Sequence, residues 1–201
     1  MFDLLQVASV TSARNRRRAA APTGALDVAT KLGTDPEKLA VFHSLSKRSN
    51  LPGLRSGFVA GDPAVLKPFL LYRTYHGSAM SLPVQRASLA AWGDEAHVEA
   101  NRALYRAKFD LAQRRLGNRF GFYRPAGGFF LWLDVGDGEA AARRLWAETG
   151  VRVLPGGYLS IGNAGAPYIR VALVDEITTV DRALGRLADL LGEAGPVGPA
   201  P

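Results

Sequence analysis

The sequence predicts an α/β chain built in two parts around one long helix, and three observations predict it. Short apolar runs at Leu39–Ser46 and Arg55–Gly61 are bracketed by turn residues, as strands are. Over residues 94–116, Val98, Tyr105, Phe109, Ala112 and Leu116 follow one another at spacings of seven, four, three and four, with arginines between them. That is the period of a helix with one apolar stripe. Beyond residue 118, strand-like and helix-like stretches alternate closely enough to form a small α+β unit.

Taken in order, residues 1–22 have little periodicity and a basic run, Arg14-Asn-Arg-Arg-Arg18, which reads as an irregular arm. Ala25–Leu32 reads as a short helix ended by Gly33, and Asp62-Pro63 opens another after the second strand. Phe129–Val135 is a predicted strand and Glu139–Thr149 a helix stopped by Gly150. Val151–Leu154 and Tyr168–Val174 are strands. A last helix follows Asp175 as its N-cap, with Ile177, Val180, Leu184, Leu187 and Leu191 on one face. The expected organisation is therefore 1–22 arm, 23–93 first folded part, 94–117 linking helix, 118–192 small α+β domain and 193–201 disordered tail.

Composition narrows the function classes. An apolar share of 47% against 21% charged residues is that of a globular chain, and no apolar run approaches a membrane span. There is no cysteine, so thiol nucleophiles and thiolate metal sites are excluded, and no histidine or carboxylate cluster has metal-ligand spacing. The N-terminus lacks the pattern of an export signal, which makes the cytoplasm the expected location. The net charge is 25 minus 18, or +7, spread over the arm and helical positions such as Arg102, Arg106, Lys108, Arg114 and Arg115. Without a nucleic-acid module or aromatics interleaved with the basic run, solvated charge is the expectation rather than nucleic-acid binding.

The chemistry lies in Ser44-Leu-Ser-Lys-Arg-Ser-Asn-Leu-Pro-Gly-Leu-Arg-Ser-Gly57. Lys47 follows an apolar run, where lost hydration lowers an amine's pKa toward the range in which it attacks a carbonyl. Pro52-Gly53 turns the chain so that Arg55 approaches Lys47. A hydroxyl, an amine and a guanidinium in this order suit a phosphorylated aldehyde. Lys47 forms the imine, while Ser44 and Arg55 grip the phosphate.

This pattern resembles the class I/II aminotransferases, fold-type I enzymes that use pyridoxal 5'-phosphate. Their motif is serine, any residue, a small residue, lysine, then arginine eight and glycine ten positions later. Here these are Ser44, Ser46, Lys47, Arg55 and Gly57, with Ser56 where an aliphatic residue is usual. The wider string, with Tyr72-Arg-Thr-Tyr-His-Gly77 and Gly127-Gly-Phe-Phe-Leu-Trp132, is similar to the N-succinyldiaminopimelate branch of lysine biosynthesis. The likeness covers about residues 23–192 and the C-terminal half of such an enzyme. It implies the end of the large-domain sheet, a linking helix and a small domain.

The resemblance implies roles. Lys47 is the Schiff-base lysine and the proton carrier, and Ser44 and Arg55 bind the cofactor phosphate. Ser46 either assists or, being small, permits close packing. Arg170 aligns with the arginine that holds the substrate α-carboxylate, opposite an apolar face of Ile169, Val171 and Leu173. The substrates implied are a succinylated amino-keto diacid and glutamate, in a homodimer. Tyr75 and His76 line a substrate pocket, reach a partner subunit's cofactor, or belong to a polar loop. His43 is expected as a hydrogen-bonded core histidine, His97 as exposed, and Phe130 and Trp132 as small-domain core rather than stacking groups.

The ring-stacking aromatic, asparagine, tyrosine and aspartate that the family sets around the cofactor have no counterparts here. We therefore expect a fragment, with a frameshift or misplaced start ahead of Thr23 as one origin, and activity of the chain by itself in doubt. The rival readings are another aminotransferase or a carbon–sulfur lyase of the same fold, and a non-catalytic basic binding protein using Arg14–Arg18.

Overall fold

Two glycines and one aspartate set the geometry of the first part of the chain. In the computed structural model, which describes residues 24–33, 38–77 and 79–192, β1 (Ala40–Ser44) pairs antiparallel with β2 (Gly57–Gly61). The register runs from Ala40↔Gly61 to Ser44↔Gly57. A Cβ at Gly57 would lie 2.5 Å from the His43 carbonyl oxygen, and one at Gly61 only 2.0 Å from that of Leu39. The ladder can close at both ends because neither residue has a side chain. Asp62 then caps α3 (Pro63–Tyr75), its Oδ1 accepting from Ala64 N–H at 2.7 Å. Its Oδ2 accepts from Lys38 N–H at 2.7 Å, which ties the entry of β1 to the exit of β2.

Both predicted strands were too long at the end nearest the lysine. The first stops at Ser44 because that residue turns to cap a one-turn helix, α2 (Leu45–Arg48), its Oγ accepting from Ser46 N–H at 3.1 Å. The second begins at Gly57 because Arg55 sits in the left-handed region (φ 49°, ψ 36°) after a 3₁₀ turn at Pro52–Leu54. The helix α1 (Ala25–Leu32) ends at Gly33 with φ 63°, as its sequence requires. α4 (Leu82–Gly93) went unread in the sequence. Its Leu-Pro start follows a helix-terminating loop, and its apolar spacing is irregular. α5 (Ala96–Leu116) ends at Gly117 with φ 58°.

The chain divides into two compact units within α5, one up to Asn101 and one from Arg102. In the second, β3 (Phe130–Asp134) and β4 (Leu154–Pro155) flank β5 (Tyr168–Ala172), all antiparallel, in the order β3-β5-β4. α6 (Gly138–Arg144) continues into a wider π turn at Leu145–Thr149 before Gly150 stops it, so the predicted helix changes pitch over its last five residues. The predicted strand at Val151–Leu154 shrinks to Leu154–Pro155, and β5 ends at Ala172 rather than Val174.

α7 (Ile177–Gly192) begins one residue later than an Asp175 cap would place it. Its first turn bonds Val180 N–H to the Glu176 carbonyl, and Asp175 Oδ1 accepts only from Glu176 N–H (2.8 Å). One face of the sheet, with Leu131, Leu133, Ile169 and Val171, is buried against Phe109, Ala112 and Leu116 of α5 and the apolar stripe of α7. The expected arm at 1–22 and tail at 193–201 lie outside the described residues.

Candidate functional site

The open end of the β1–β2 ribbon is where the first unit gathers its chemistry. Ser44 and Gly57 are ladder partners, and two further bonds fasten the same corner. Leu45 N–H donates to the Ser56 carbonyl at 3.1 Å, and Ser44 Oγ donates to the same oxygen at 3.3 Å. Arg55 is thus held next to Ser56, whose carbonyl takes both bonds, and Lys47 stands on the single turn that Ser44 caps. Ser46 gives its N–H to Ser44 Oγ and is half-buried, whereas Lys47 and Arg55 are exposed. Ser44, Ser46 and Lys47 thus share one strand end and turn, and Arg55 precedes the residue whose carbonyl that strand end binds.

Arg55 carries a positive φ that glycine would adopt at less cost, of order 1–2 kcal/mol. Nη1 donates to the Pro52 carbonyl at 3.3 Å, closing the turn on itself.

Two residues of this corner went unrecognised in the sequence. Arg48 is nearly buried. Its Nη1 donates to the Ala91 carbonyl (2.9 Å) and Ser49 Oγ (3.2 Å), and its Nη2 to the Asp94 carbonyl (3.4 Å) and the Glu95 carboxylate. The guanidinium also lies 5.1 Å from the centre of the Trp92 ring. It fastens α2 to the end of α4, and its signal was only the adjacency of a second cation to Lys47. Ser56 is 3% exposed, and its Oγ has no hydrogen-bond partner among the described residues. Its aliphatic counterpart in the resembling family was the available clue.

The histidine expectations need correction. His43 is exposed rather than core, since no residue of β1 is fully buried and Phe42 and His43 both reach solvent. It packs against Phe58 (5.6 Å) and Trp92 (5.4 Å), and its Nδ1 accepts from Ser44 N–H at 3.0 Å. Partial burial, then the Arg48 charge, lowers its pKa from the ordinary histidine value. His97 is half-buried, not exposed: Nδ1 meets Asp94 Oδ2 at 2.7 Å across the first turn of α5, and Nε2 is buried without a partner. Tyr75, at the end of α3, is 78% exposed, and His76 stacks flat on Tyr72 with ring centres 4.5 Å apart.

In the second unit Arg170 lies opposite Trp132 on β3 and Leu154 on β4. Ile169 and Val171 are buried on one side of β5, so Arg170 stands on the other, its guanidinium 4.4 Å from the centre of the Phe130 ring. Phe130 and Trp132 share that side and are not core, since the buried phase of β3 belongs to Leu131 and Leu133. Trp132 stacks on Tyr168 at 5.5 Å and 21°. With Phe120, Gly121, Tyr123 and Asp134 this pair lines a cleft of about 350 Å³. Among the described residues no group of three histidines, aspartates and glutamates could hold a metal ion, and no helix is long and apolar enough to cross a membrane.

Comparison with known proteins gives this geometry its context. The family model described as aminotransferase class I and II matches residues 15–187. A 4-dedimethylamino-4-oxo-anhydrotetracycline transaminase of Streptomyces rimosus is 39% identical over 83% of this chain and 46% of its own length. An LL-diaminopimelate aminotransferase of Nostoc is 30% identical over 74% of this chain and 39% of its own. The crystal structure of an aminotransferase from Neisseria meningitidis superposes with a TM-score of 0.79 at 52% identity, over 85% of this chain and 45% of that one. The chain thus spans about half the length, or less, of the relatives it matches.

Proposed function

From the premise that this chain belongs to the class I and II aminotransferases, we propose that it carries the lysine end of a pyridoxal-phosphate site and takes part in moving an amino group between an amino acid and a 2-oxo acid. The observation that supports this reading is the Ser44↔Gly57 closure, with Ser44 Oγ bonded to the Ser56 carbonyl, which sets the turn that carries Lys47 and the Arg55–Ser56 segment at the same end of the ribbon. That donor set fits a phosphorylated aldehyde: Ser44, Ser46 and Arg55 hold the anionic tail, and Lys47 the carbonyl carbon. When bound, the cofactor supplies an electron-accepting ring conjugated to that carbon.

The chain's own side chains do the rest. Lys47 Nζ carries a proton to and from the substrate α-carbon, a task for an amine whose attachment point is fixed by the Ser44 cap and the Arg48 anchor. Arg55, tied to its own turn through the Pro52 carbonyl, would meet the phosphate as a planar cation. Arg170 offers two parallel N–H groups to the substrate α-carboxylate, and the Phe130 ring beneath it holds the guanidinium plane.

For the substrate pair, the strings Tyr72–Gly77 and Gly127–Trp132 favour succinyl-diaminopimelate with glutamate and 2-oxoglutarate, in lysine biosynthesis, by a cytoplasmic homodimer. A relative that is an LL-diaminopimelate aminotransferase keeps the diaminopimelate skeleton in view.

The test is pyridoxal phosphate added to the full chain. We expect a visible absorbance band and, after borohydride reduction, a phosphopyridoxyl mass on Lys47. Lys47→Ala abolishes both. A cofactor mass spread over surface lysines, unchanged in Lys47→Ala, overturns the assignment. Product analysis with glutamate then separates a transaminase, which forms 2-oxoglutarate, from a carbon–sulfur lyase, which releases ammonia and pyruvate.

A further inference from the structure

We propose that His43 is a positioning residue for the turn that carries Lys47, its neutral imidazole holding the Ser44 peptide so that acid lets the turn go. The inference deepens the site reading given above and rests on it, except where it concerns the Ser44 amide alone.

The ladder makes the first argument. Leu45 N–H donates to the Ser56 carbonyl (3.1 Å) and Asp62 N–H to the Leu39 carbonyl (2.8 Å), so the odd-numbered residues of this stretch make the bonded pairs. Ser44↔Gly57 falls between two of them and is a pair that exchanges no ladder bonds. The Ser44 N–H therefore points away from β2, and His43 Nδ1 accepts it at 3.0 Å.

The tether sits where it matters. Ser44 Oγ accepts from Ser46 N–H and donates to the Ser56 carbonyl, so Ser44 both caps the Lys47 turn and ties it to the residue after Arg55. Of the partners that hold Ser44 through these three bonds, the imidazole is the one that titrates near neutrality. To accept, Nδ1 must offer its lone pair and leave the ring proton on Nε2. A protonated ring carries N–H on both nitrogens and leaves the Ser44 N–H facing another donor.

Three elements pack against the ring. β2 brings Phe58 and α4 brings Trp92, neither of them charged, and α2 brings Arg48, which lies on the Trp92 ring and pairs with Glu95. Burial, then the Arg48 charge, lowers the His43 pKa, so the neutral ring is the resident form above the ordinary value of about 6.5. The tether is present there and is lost as pH falls through the lowered value.

Two substitutions separate the acceptor from the ring. His43→Phe keeps the aromatic packing and removes the nitrogen, whereas His43→Asn presents an amide oxygen in place of Nδ1 and does not titrate. In the full chain without cofactor, amide exchange at Ser44 should quicken about three- to ten-fold in His43→Phe, the net worth of one hydrogen bond, and be restored in His43→Asn. In the unsubstituted chain, Ser44 protection should fall with the same midpoint as the His43 ring resonances. Borohydride-trapped phosphopyridoxyl on Lys47 should follow the same order of variants. From about pH 8 to about pH 5 it should fall about three- to ten-fold further in the unsubstituted chain than in His43→Asn, a ratio in which titration of the cofactor phosphate and of Lys47 cancels. Ser44 exchange that is unchanged in His43→Phe, or equally fast in both variants, overturns the inference, as does one pH profile shared with His43→Asn. Ser44 exchange in the expected order while Lys47 traps no cofactor would sink the site reading and leave the His43 tether standing.

Discussion

Seventeen side chains of the second unit are buried in a single cluster, whereas the described residues of the first bury only two apolar side chains, Leu45 and Val98. The two stretches are not different in kind of sequence: both contain leucine-rich helices and short strands. They differ in whether each apolar stripe meets another. In the second unit α5 and α7 both turn their stripes to the same face of β3 and β5, and the sheet has three strands. In the first, α3 and α4 have apolar sides that meet solvent, and the sheet has two strands. Local propensity makes the elements in both, but only long-range burial makes a core.

The largest effect that would sharpen this contrast is a pair of truncations. Leu133→Ala, at a fully buried position of β3, should cost about 2–5 kcal/mol in urea unfolding of the second unit. Leu71→Ala, on the exposed side of α3, should change unfolding by no more than about 0.5 kcal/mol. Equal losses would show that the first unit hides a core of its own.

Gly57→Ala should come next. Its Cβ would press on the His43 carbonyl 2.5 Å away, costing about 1–3 kcal/mol and opening the Ser44 corner. Cofactor capture at Lys47 and exchange protection in β1 should fall together. Loss of one without the other would separate the corner from the ribbon.

Ser56→Ala acts in the opposite direction. Removing a buried hydroxyl without a partner should stabilise the first unit by up to about 1 kcal/mol, read as a higher urea midpoint. Destabilisation would mean that the hydroxyl is satisfied.

The smallest effect is a pH dependence. The pKa of His43 is lowered in the folded state by burial and by Arg48, so the unfolded chain binds more protons below the ordinary value of about 6.5. Stability of the first unit should therefore decline as pH falls through that value toward the lowered one. The decline should be weaker in His43→Gln, and an unchanged profile would remove His43 from the account.

Much of this was legible in the sequence wherever one residue's covalent character decides the outcome. Gly33, Gly117 and Gly150 end helices at positive φ, Asp62-Pro63 starts one, and the stripe of α5 is buried at Val98, Phe109, Ala112 and Leu116, with Tyr105 half-buried. Ser44, Lys47, Arg55 and Gly57 were singled out by their fixed offsets in the sequence, and the structure places them at the end of β1, on α2, after the Pro52–Leu54 turn and at the start of β2. What was not legible depends on cross-strand phase and on what else packs nearby. Phe130 and Trp132 read as small-domain core in the sequence, yet in the strand Leu131 and Leu133 are the buried pair instead. Periodicity along β3 gives two alternating sets, and only the neighbouring strand says which is inside. His43 and Arg48 followed the same rule, their surroundings being set by Trp92, more than forty residues away.

The four carbonyl, hydroxyl and carboxylate acceptors that bind Arg48 have a mechanical consequence for its neighbour. With the N–H of Ser46, the residue before Lys47, gripped by a serine cap and the residue after it bolted to another helix, the main chain at position 47 is a fixed pivot. Whatever travel the amine needs in order to visit more than one atom must come from torsions of its own methylene stem. A shorter amine at that position would stay chemically competent and fall short, and a substitution at Arg48 would loosen the pivot without touching the amine.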